Sequence, residues 1–129
     1  MMQSKKIKWL VYTVMVGLIP IITRFFAWAI TTPGTADMFV SSDFMAFGLM
    51  LHISNINELE HLSVDPKWKT VQNGMSIIFI TCYGVLLTSS LIGAKVIDNS
   101  ILLVISVILS AVSFGLSYSI YYYLERLGV

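Results

Sequence analysis

The chain has 129 residues, of which 57% are hydrophobic and only 12% are charged. Its formal net charge is +1, which excludes the strongly basic surface expected of a nucleic-acid-binding protein. The mean hydropathy of +0.82 and the short polar links between apolar stretches indicate an all-α membrane protein with one domain, residues 1–129. The single cysteine, Cys82, excludes an intrachain disulfide and a Cys-x-x-Cys redox pair.

The first apolar stretch, residues 7–30, is long enough to cross the roughly 30 Å hydrocarbon core of a bilayer as a helix. Its basic start resembles a signal peptide, but its length and Arg24 near its end favour an uncleaved span. Trp9 and Trp28 lie near its two ends, as interfacial aromatic residues do. Pro20 predicts a kink.

The second span, residues 36–56, is the least apolar of the four. Thr35 is a predicted cap for a helix that begins at Ala36. Beyond Ile56 the apolar residues recur every three positions, which predicts that the same helix leaves the membrane with one apolar stripe.

The third and fourth spans are predicted at residues 66–92 and 100–124. Pro66 is expected at the first helical position, with Asp65 as the cap. The basic residues other than Arg24 divide six to one if both ends of the chain lie in the cytoplasm, with Lys95 as the exception. The sequence therefore predicts a bundle of four transmembrane helices in an N-in/C-in orientation.

Two ionisable residues form the sharpest pair inside the predicted spans. Arg24 lies six residues before the end of the first span, and Asp43 lies seven residues after the start of the second. At 1.5 Å per residue both lie roughly 10 Å below the outer surface, so they are predicted to pair. The pair is interpreted as a gate or proton-coupled site, or as a structural pair that fixes helix register; alternatively, Arg24 extends outward to the interface.

His52 is a second candidate site in the second span. A histidine there could sense pH or relay protons, or it could be a hydrogen-bonded packing residue. The sequence holds no nucleophile–base pair, phosphate loop or metal-ligand cluster, so no catalytic residue, metal or cofactor is predicted.

Small and polar residues recur every three or four positions on the third and fourth spans, which is typical of closely packed helices in lipid. Such a face is either the internal seam of the bundle or a subunit interface of a homo-oligomer. The serine face of the fourth span is the first choice for self-association, and the face on the third span is the second. The residues are Ser106, Ser110, Ser113, Ser117, Thr81, Gly84 and Thr88.

The cytosolic segment 57–69 is the predicted docking surface for a cytosolic protein partner. Its apolar residues would supply buried contact and its acidic residues would attract a basic partner. The alternative is a plain connector between two helices, with its tryptophan at the lipid interface. The residues are Glu58, Leu59, Glu60, Leu62, Asp65 and Trp68.

Residues 43–60, with the sequence Asp-Phe-Met-Ala-Phe-Gly-Leu-Met-Leu-His-Ile-Ser-Asn-Ile-Asn-Glu-Leu-Glu, resemble the second helix of small uncharacterised bacterial membrane proteins. The plan of the whole chain resembles the small four-span membrane subunit of bacterial antiphage systems such as Kiwa. The resemblance implies an oligomeric subunit of the bacterial inner membrane that holds a cytoplasmic effector. It is a resemblance of plan and assigns no functional residue.

These observations predict a non-enzymatic integral membrane subunit, an oligomeric scaffold or sensor that docks a cytosolic partner; phage defence is a role that only the resemblance implies. The alternative is a small channel, holin-like pore or proton-coupled transporter with Arg24, Asp43 and His52 along its path. A water-filled route lined by these three residues would favour the alternative. A dry bundle with segment 57–69 projecting from it would favour docking.

Overall fold

The computed structural model describes residues 2–93 and 95–128, with side chains from residue 6 onward. This part of the chain is all-helical, with 83% of the residues in helices and no strand, which confirms the predicted class. Helix α1 consists of three consecutive segments, an α-helix at Met2–Trp9, a π-helical stretch at Leu10–Met15 and an α-helix at Val16–Ile30. The other helices are α2 (Ser41–Glu60), α3 (Pro66–Ile92) and α4 (Asn99–Leu127).

Three helical stretches are long and apolar enough to cross a membrane: Lys6–Ile30, Pro66–Ile92 and Asn99–Leu127. Helix α2 has 20 residues, enough for roughly 30 Å at 1.5 Å per residue, but its polar side chains keep it below that apolarity. Crossing by α2 and the N-in/C-in orientation stay predictions. Lys5, which contributes to the charge count behind that orientation, lies outside the described side chains.

The four helices alternate in direction. Arg24, near the end of α1, contacts Asp43 at the start of α2. Lys6 Nζ lies 3.9 Å from Glu125 Oε2, so the start of α1 meets the end of α4. The start of α1 and the end of α4 therefore lie at one end of the bundle, called here the terminal end, and the links after α1 and α3 lie at the opposite end.

Helix α2 begins at Ser41 rather than at Ala36. The predicted cap is not formed, because Thr35 Oγ1 bonds instead with Thr32 Oγ1 at 2.7 Å. The residues before α2 run beside the end of α1, where Phe39 stacks on Phe25 with ring centroids 6.0 Å apart. This aromatic contact stabilises a non-helical link where the sequence pattern predicted a turn of helix.

Helix starts at α3 and α4 follow local capping chemistry. Asp65 accepts a hydrogen bond from the Lys67 backbone N–H at 3.1 Å, with Pro66 in the first turn, as the sequence predicted. Asp98 accepts from the Ser100 backbone N–H at 3.0 Å and caps α4 in the same way. The α-helical segment with Pro20 runs on to Ile30, and a π-helical stretch precedes it in α1.

Helix α2 lies at the centre of the bundle and packs against the other three helices. Seven of its 20 residues are buried, compared with two of 27 in α3. Close approach depends on two glycines. A Cβ at Gly17 would lie 2.8 Å from Phe47 Cδ1, and a Cβ at Gly48 would overlap the Tyr83 ring.

Candidate functional site

The predicted charge pair is formed at the end of the bundle opposite the chain termini. Arg24 Nε donates to Asp43 Oδ2 at 2.6 Å. Because α2 begins at Ser41, Asp43 lies in its first turn, where a helix N-terminus also favours a carboxylate. The Arg24 side chain is 43% exposed and that of Asp43 is 12% exposed. This position near a helix end fits a structural pair with an arginine that reaches outward.

His52 lies in the middle of the bundle and is 1% exposed. Its Nε2 lies 2.8 Å from Ser113 Oγ on α4, and its Nδ1 lies 3.2 Å from Ser76 Oγ on α3. The Tyr83 hydroxyl lies 2.6 Å from the same Ser113 Oγ. One ring nitrogen of a neutral imidazole donates and the other accepts, so the two serines take opposite roles. We call these four residues, Tyr83, Ser113, His52 and Ser76, the polar chain.

The ring of His52 also stacks on Phe79, with centroids 4.9 Å apart and 23° between the planes. The polar chain satisfies both ring nitrogens and closes the imidazole off from water, because Tyr83 is 0% and Ser76 is 2% exposed. Buried polar groups that are fully hydrogen-bonded make the relative position of helices specific. The geometry favours the packing interpretation of His52 over a relay that exchanges protons with water.

A second polar contact follows one turn along the same face of α2. Asn55 Nδ2 donates to Ser117 Oγ at 2.8 Å, and Asn55 is 1% exposed. Its Oδ1 has no hydrogen-bond partner among the described residues. His52 and Asn55 are three positions apart and meet two serines four positions apart, as neighbouring helix faces do.

The serine face of α4 is an internal seam, so its first-choice role in self-association is wrong. Ser106, Ser110, Ser113 and Ser117 are 0–4% exposed. Two of them bond to their own helix, since Ser106 Oγ donates to the Leu102 carbonyl and Ser110 Oγ donates to the Val107 carbonyl. The other two bind α2. Their burial against the central helix leaves no surface for a second copy.

The second-choice face remains open. Thr81, Gly84 and Thr88 lie on the exposed side of α3. A Cβ added at Gly84 would meet no atom within 4 Å. Thr81 Oγ1 donates to the Ile77 carbonyl at 2.9 Å, so this hydroxyl is satisfied within its own helix.

The predicted docking segment 57–69 does not project from the bundle. It comprises the last turn of α2, a tight link and the first turn of α3. Leu59 is 0% exposed, and Leu62 and Trp68 pack against the same core cluster. Trp68 also lies on Tyr123, with ring centroids 4.3 Å apart. The apolar anchors predicted for a partner are used inside the protein, because the link is too short to turn them outward.

The charged residues of that segment have a different environment. Glu60 and Asp65 are exposed, and Glu58 is partly buried. Glu60 and Asp65 therefore remain available to a partner, although Asp65 also caps α3.

Sequence reasoning missed Tyr83, Ser76 and Asn55 as members of the buried polar contacts. The available signal was the match between the polar face of the second span and the serine face of the fourth, which share three-to-four spacing. Within residues 2–93 and 95–128, no three His, Cys, Asp or Glu residues are placed to hold a metal ion.

The described residues also form an open cavity of about 410 Å³ at the terminal end, between α1 and α2.

Comparison of the chain with protein-family models, curated proteins and solved structures gives no match.

Proposed function

We propose that the protein is a non-enzymatic integral membrane subunit, with all four helices crossing the bacterial inner membrane and both ends in the cytoplasm. The observation that carries this proposal is the position of α2. The helix that is too polar to be an obvious span is enclosed by three apolar helices, and its His52 and Asn55 side chains bond within the bundle.

A bilayer explains this arrangement better than water does. Large apolar side chains such as Ile19, Ile78 and Ile108 are 55–58% exposed. In water such a surface would favour aggregation, but lipid tails cover it without cost. The buried His52 ring and the Asn55 amide N–H then find partners inside the protein, which a hydrocarbon environment does not supply.

The topology is tested by cysteine accessibility in a Cys82→Ala background. We expect Thr35→Cys, in the link after α1, to react with an impermeant maleimide only from outside the cell. Lys67→Cys, in the first turn of α3, serves as the matched control and should react only from the cytoplasm. Labelling of both positions from the same side would contradict four spans, and release of the protein by alkaline carbonate would contradict membrane insertion.

The proposed partner of this subunit is a cytosolic protein that binds the terminal end through charge. The exposed carboxylates of Glu60 and Asp65 support this surface, while the burial of Leu59 removes the apolar centre that strong interfaces use. Contacts between exposed charges are weak and salt-sensitive. We therefore expect a transient complex that dissociates as the salt concentration rises.

Charge reversal tests this surface. Glu60→Lys should lower recovery of a defined partner in mild detergent about tenfold at low salt, with less effect at high salt. Asp37→Lys makes the same charge change at the opposite end of the bundle and should leave recovery unchanged. Equal recovery with both variants would contradict the surface.

Self-association is proposed through the face of α3 that holds Thr81, Gly84 and Thr88. Small residues let helices approach closely in lipid, and Gly84 has open space in front of it. Gly84→Leu should convert an oligomer to a monomer in native mass spectrometry. Gly115→Leu is the control, since a Cβ at that glycine also meets nothing within 4 Å. An unchanged oligomer with Gly84→Leu would exclude this face.

A role in phage defence is proposed on the resemblance of plan alone.

A further inference from the structure

The open cavity at the terminal end combines opposite charges with hydroxyl groups. It is lined by Lys8, Tyr12 and Thr13 of α1 and by Ser54 and Glu58 of α2. Thr13 Oγ1 and Ser54 Oγ are 3.4 Å apart, a long contact, and Ser54 also bonds with the Tyr121 side chain. A hydroxyl group has one donor and two acceptor positions, so the Thr13 hydroxyl can take a further partner. The lining therefore offers an ammonium group, a carboxylate and several hydroxyl donors to one occupant.

Trp9 adds an unused hydrogen-bond donor at the same place. It lines the cavity and is 3% exposed, yet its indole Nε1–H has no partner among the described residues. Its ring is fixed by stacking on Tyr121, with centroids 4.7 Å apart and 18° between the planes. A buried donor that is held rigid and left unpaired calls for an explanation, and a ligand or ordered water is the usual one.

The backbone at the cavity is also unusual. The π-helical stretch Leu10–Met15 includes two of the lining residues, Tyr12 and Thr13. Isolated π-helical turns occur frequently at functional sites, where the extra residue redirects side chains. This observation is independent of the unpaired tryptophan and points to the same place.

We propose that this cavity binds the phosphoethanolamine headgroup of a membrane phospholipid. Lys8, Trp9 and the hydroxyl groups donate to the phosphate, and Glu58 accepts from the primary ammonium. A carboxylate has about four acceptor positions and can receive more than one donor. A phosphocholine headgroup has no N–H to donate, and a phosphoglycerol headgroup has hydroxyl donors but no cationic group to pair with Glu58.

The location suits a lipid. Headgroups lie at the level where interfacial aromatic residues concentrate, and with α1 as a span, Trp9 and Tyr12 near its start would lie at that level. Along α1 from Tyr12, the next turns expose the apolar side chains of Met15, Val16 and Ile19, which are 61%, 46% and 55% exposed. These side chains form a path for an acyl chain. The inference rests on the proposal that the chain spans a membrane.

Native mass spectrometry of the full chain in detergent tests the site. The protein is titrated with phosphatidylethanolamine, phosphatidylcholine and phosphatidylglycerol that carry the same acyl chains. We expect phosphatidylethanolamine to bind about tenfold more tightly than the other two, since a hydrogen bond to a charged group is worth about that factor. Glu58→Gln should remove this preference, while Glu60→Gln, two residues along α2 and not part of the cavity lining, should keep it.

Trp9→Phe keeps the stacked ring and removes the N–H. We expect about fivefold weaker binding of phosphatidylethanolamine with this variant, and wild-type binding with Trp28→Phe at the other end of α1. If Glu58→Gln does not fold, Lys8→Gln on the exposed side of the cavity replaces it, with an expected loss of about tenfold.

Three results would overturn the proposal. The first is equal binding of the three lipids by the wild-type protein. The second is equal preference in Glu58→Gln and Glu60→Gln. The third is displacement of the lipid by free O-phosphoethanolamine at the same concentration, which would identify a soluble solute as the ligand. Alkaline carbonate extraction separates the two proposals. A protein that stays in the membrane fraction but shows no lipid preference would contradict the headgroup site and leave the proposed membrane insertion in place.

Discussion

Helix α2 is the more polar and the more buried of the two neighbouring helices α2 and α3, and α3 is the more apolar and the more exposed. Helix α2 is below the apolarity of an obvious membrane span, yet seven of its 20 residues are buried. Helix α3 is apolar enough to cross a membrane, yet only two of its 27 residues are buried. In a water-soluble protein the more apolar helix would be the more enclosed one. The difference shows that polar bonding and close fit, rather than apolarity, select the centre of this bundle.

The contact between the two helices makes the same point at the level of side chains. The two buried residues of α3 are Ser76 and Tyr83, and both belong to the polar chain that includes His52 of α2. Lipid is as apolar as leucine, so moving a leucine from lipid into the bundle gains little. A hydroxyl or imidazole gains more, because the bundle supplies a partner that lipid does not. Substitutions at three features test this difference: the close fit of the helices, the hydrogen bonds and the exposed ion pair.

The largest effect is expected at the close fit. Gly48→Ala places a Cβ where the Tyr83 ring lies and should lower the free energy of unfolding by about 3 kcal/mol, as overpacking does. Gly84→Ala on the open face of α3 should be neutral or stabilising by up to about 1 kcal/mol, because alanine favours helix more than glycine does. Titration with SDS measures both. Equal stability of the two variants would show that α2 and α3 do not approach as described.

The hydrogen bonds are expected to contribute the next largest effect. His52→Leu leaves Ser76 and Ser113 without their imidazole partner and should cost about 2 kcal/mol of unfolding free energy. His61→Leu changes an exposed histidine in the same way and should change stability by less than about 0.5 kcal/mol. If the His52 variant is as stable as the wild type, the polar chain does not hold the bundle together.

The smallest effect is expected at the ion pair. Because the Arg24 side chain is 43% exposed, a double-mutant cycle with Arg24→Ala and Asp43→Ala should give a coupling of about 1 kcal/mol or less. Strictly additive losses would contradict the pairing. A coupling above roughly 3 kcal/mol would instead show that the bilayer shields the pair from water.

Local signals in the sequence were enough to identify the all-helical class, the three helices apolar enough to cross a membrane and much of the helix plan. The start of α3 at Pro66 behind Asp65 was predicted correctly because a cap and a first-turn proline act within one turn. Arg24 and Asp43 were predicted as partners because two ionisable groups on neighbouring helices have few other partners in an apolar chain. The first feature depends on residues close in sequence, and the second depends on the small number of ionisable residues in the apolar segments.

The tertiary structure alone decided what lies opposite each helix face. Helix α2 begins at Ser41 rather than at the predicted Ala36 because Phe39 packs on Phe25, a contact between residues of different segments. The serine face of α4 and the leucines of segment 57–69 could have faced a partner or the interior by composition alone. They face the interior because His52, Asn55 and the core cluster around Leu59 meet them there. Spacing along one helix defines a face, but the energy of that face depends on the neighbouring helix that supplies its hydrogen bonds and fills its gaps.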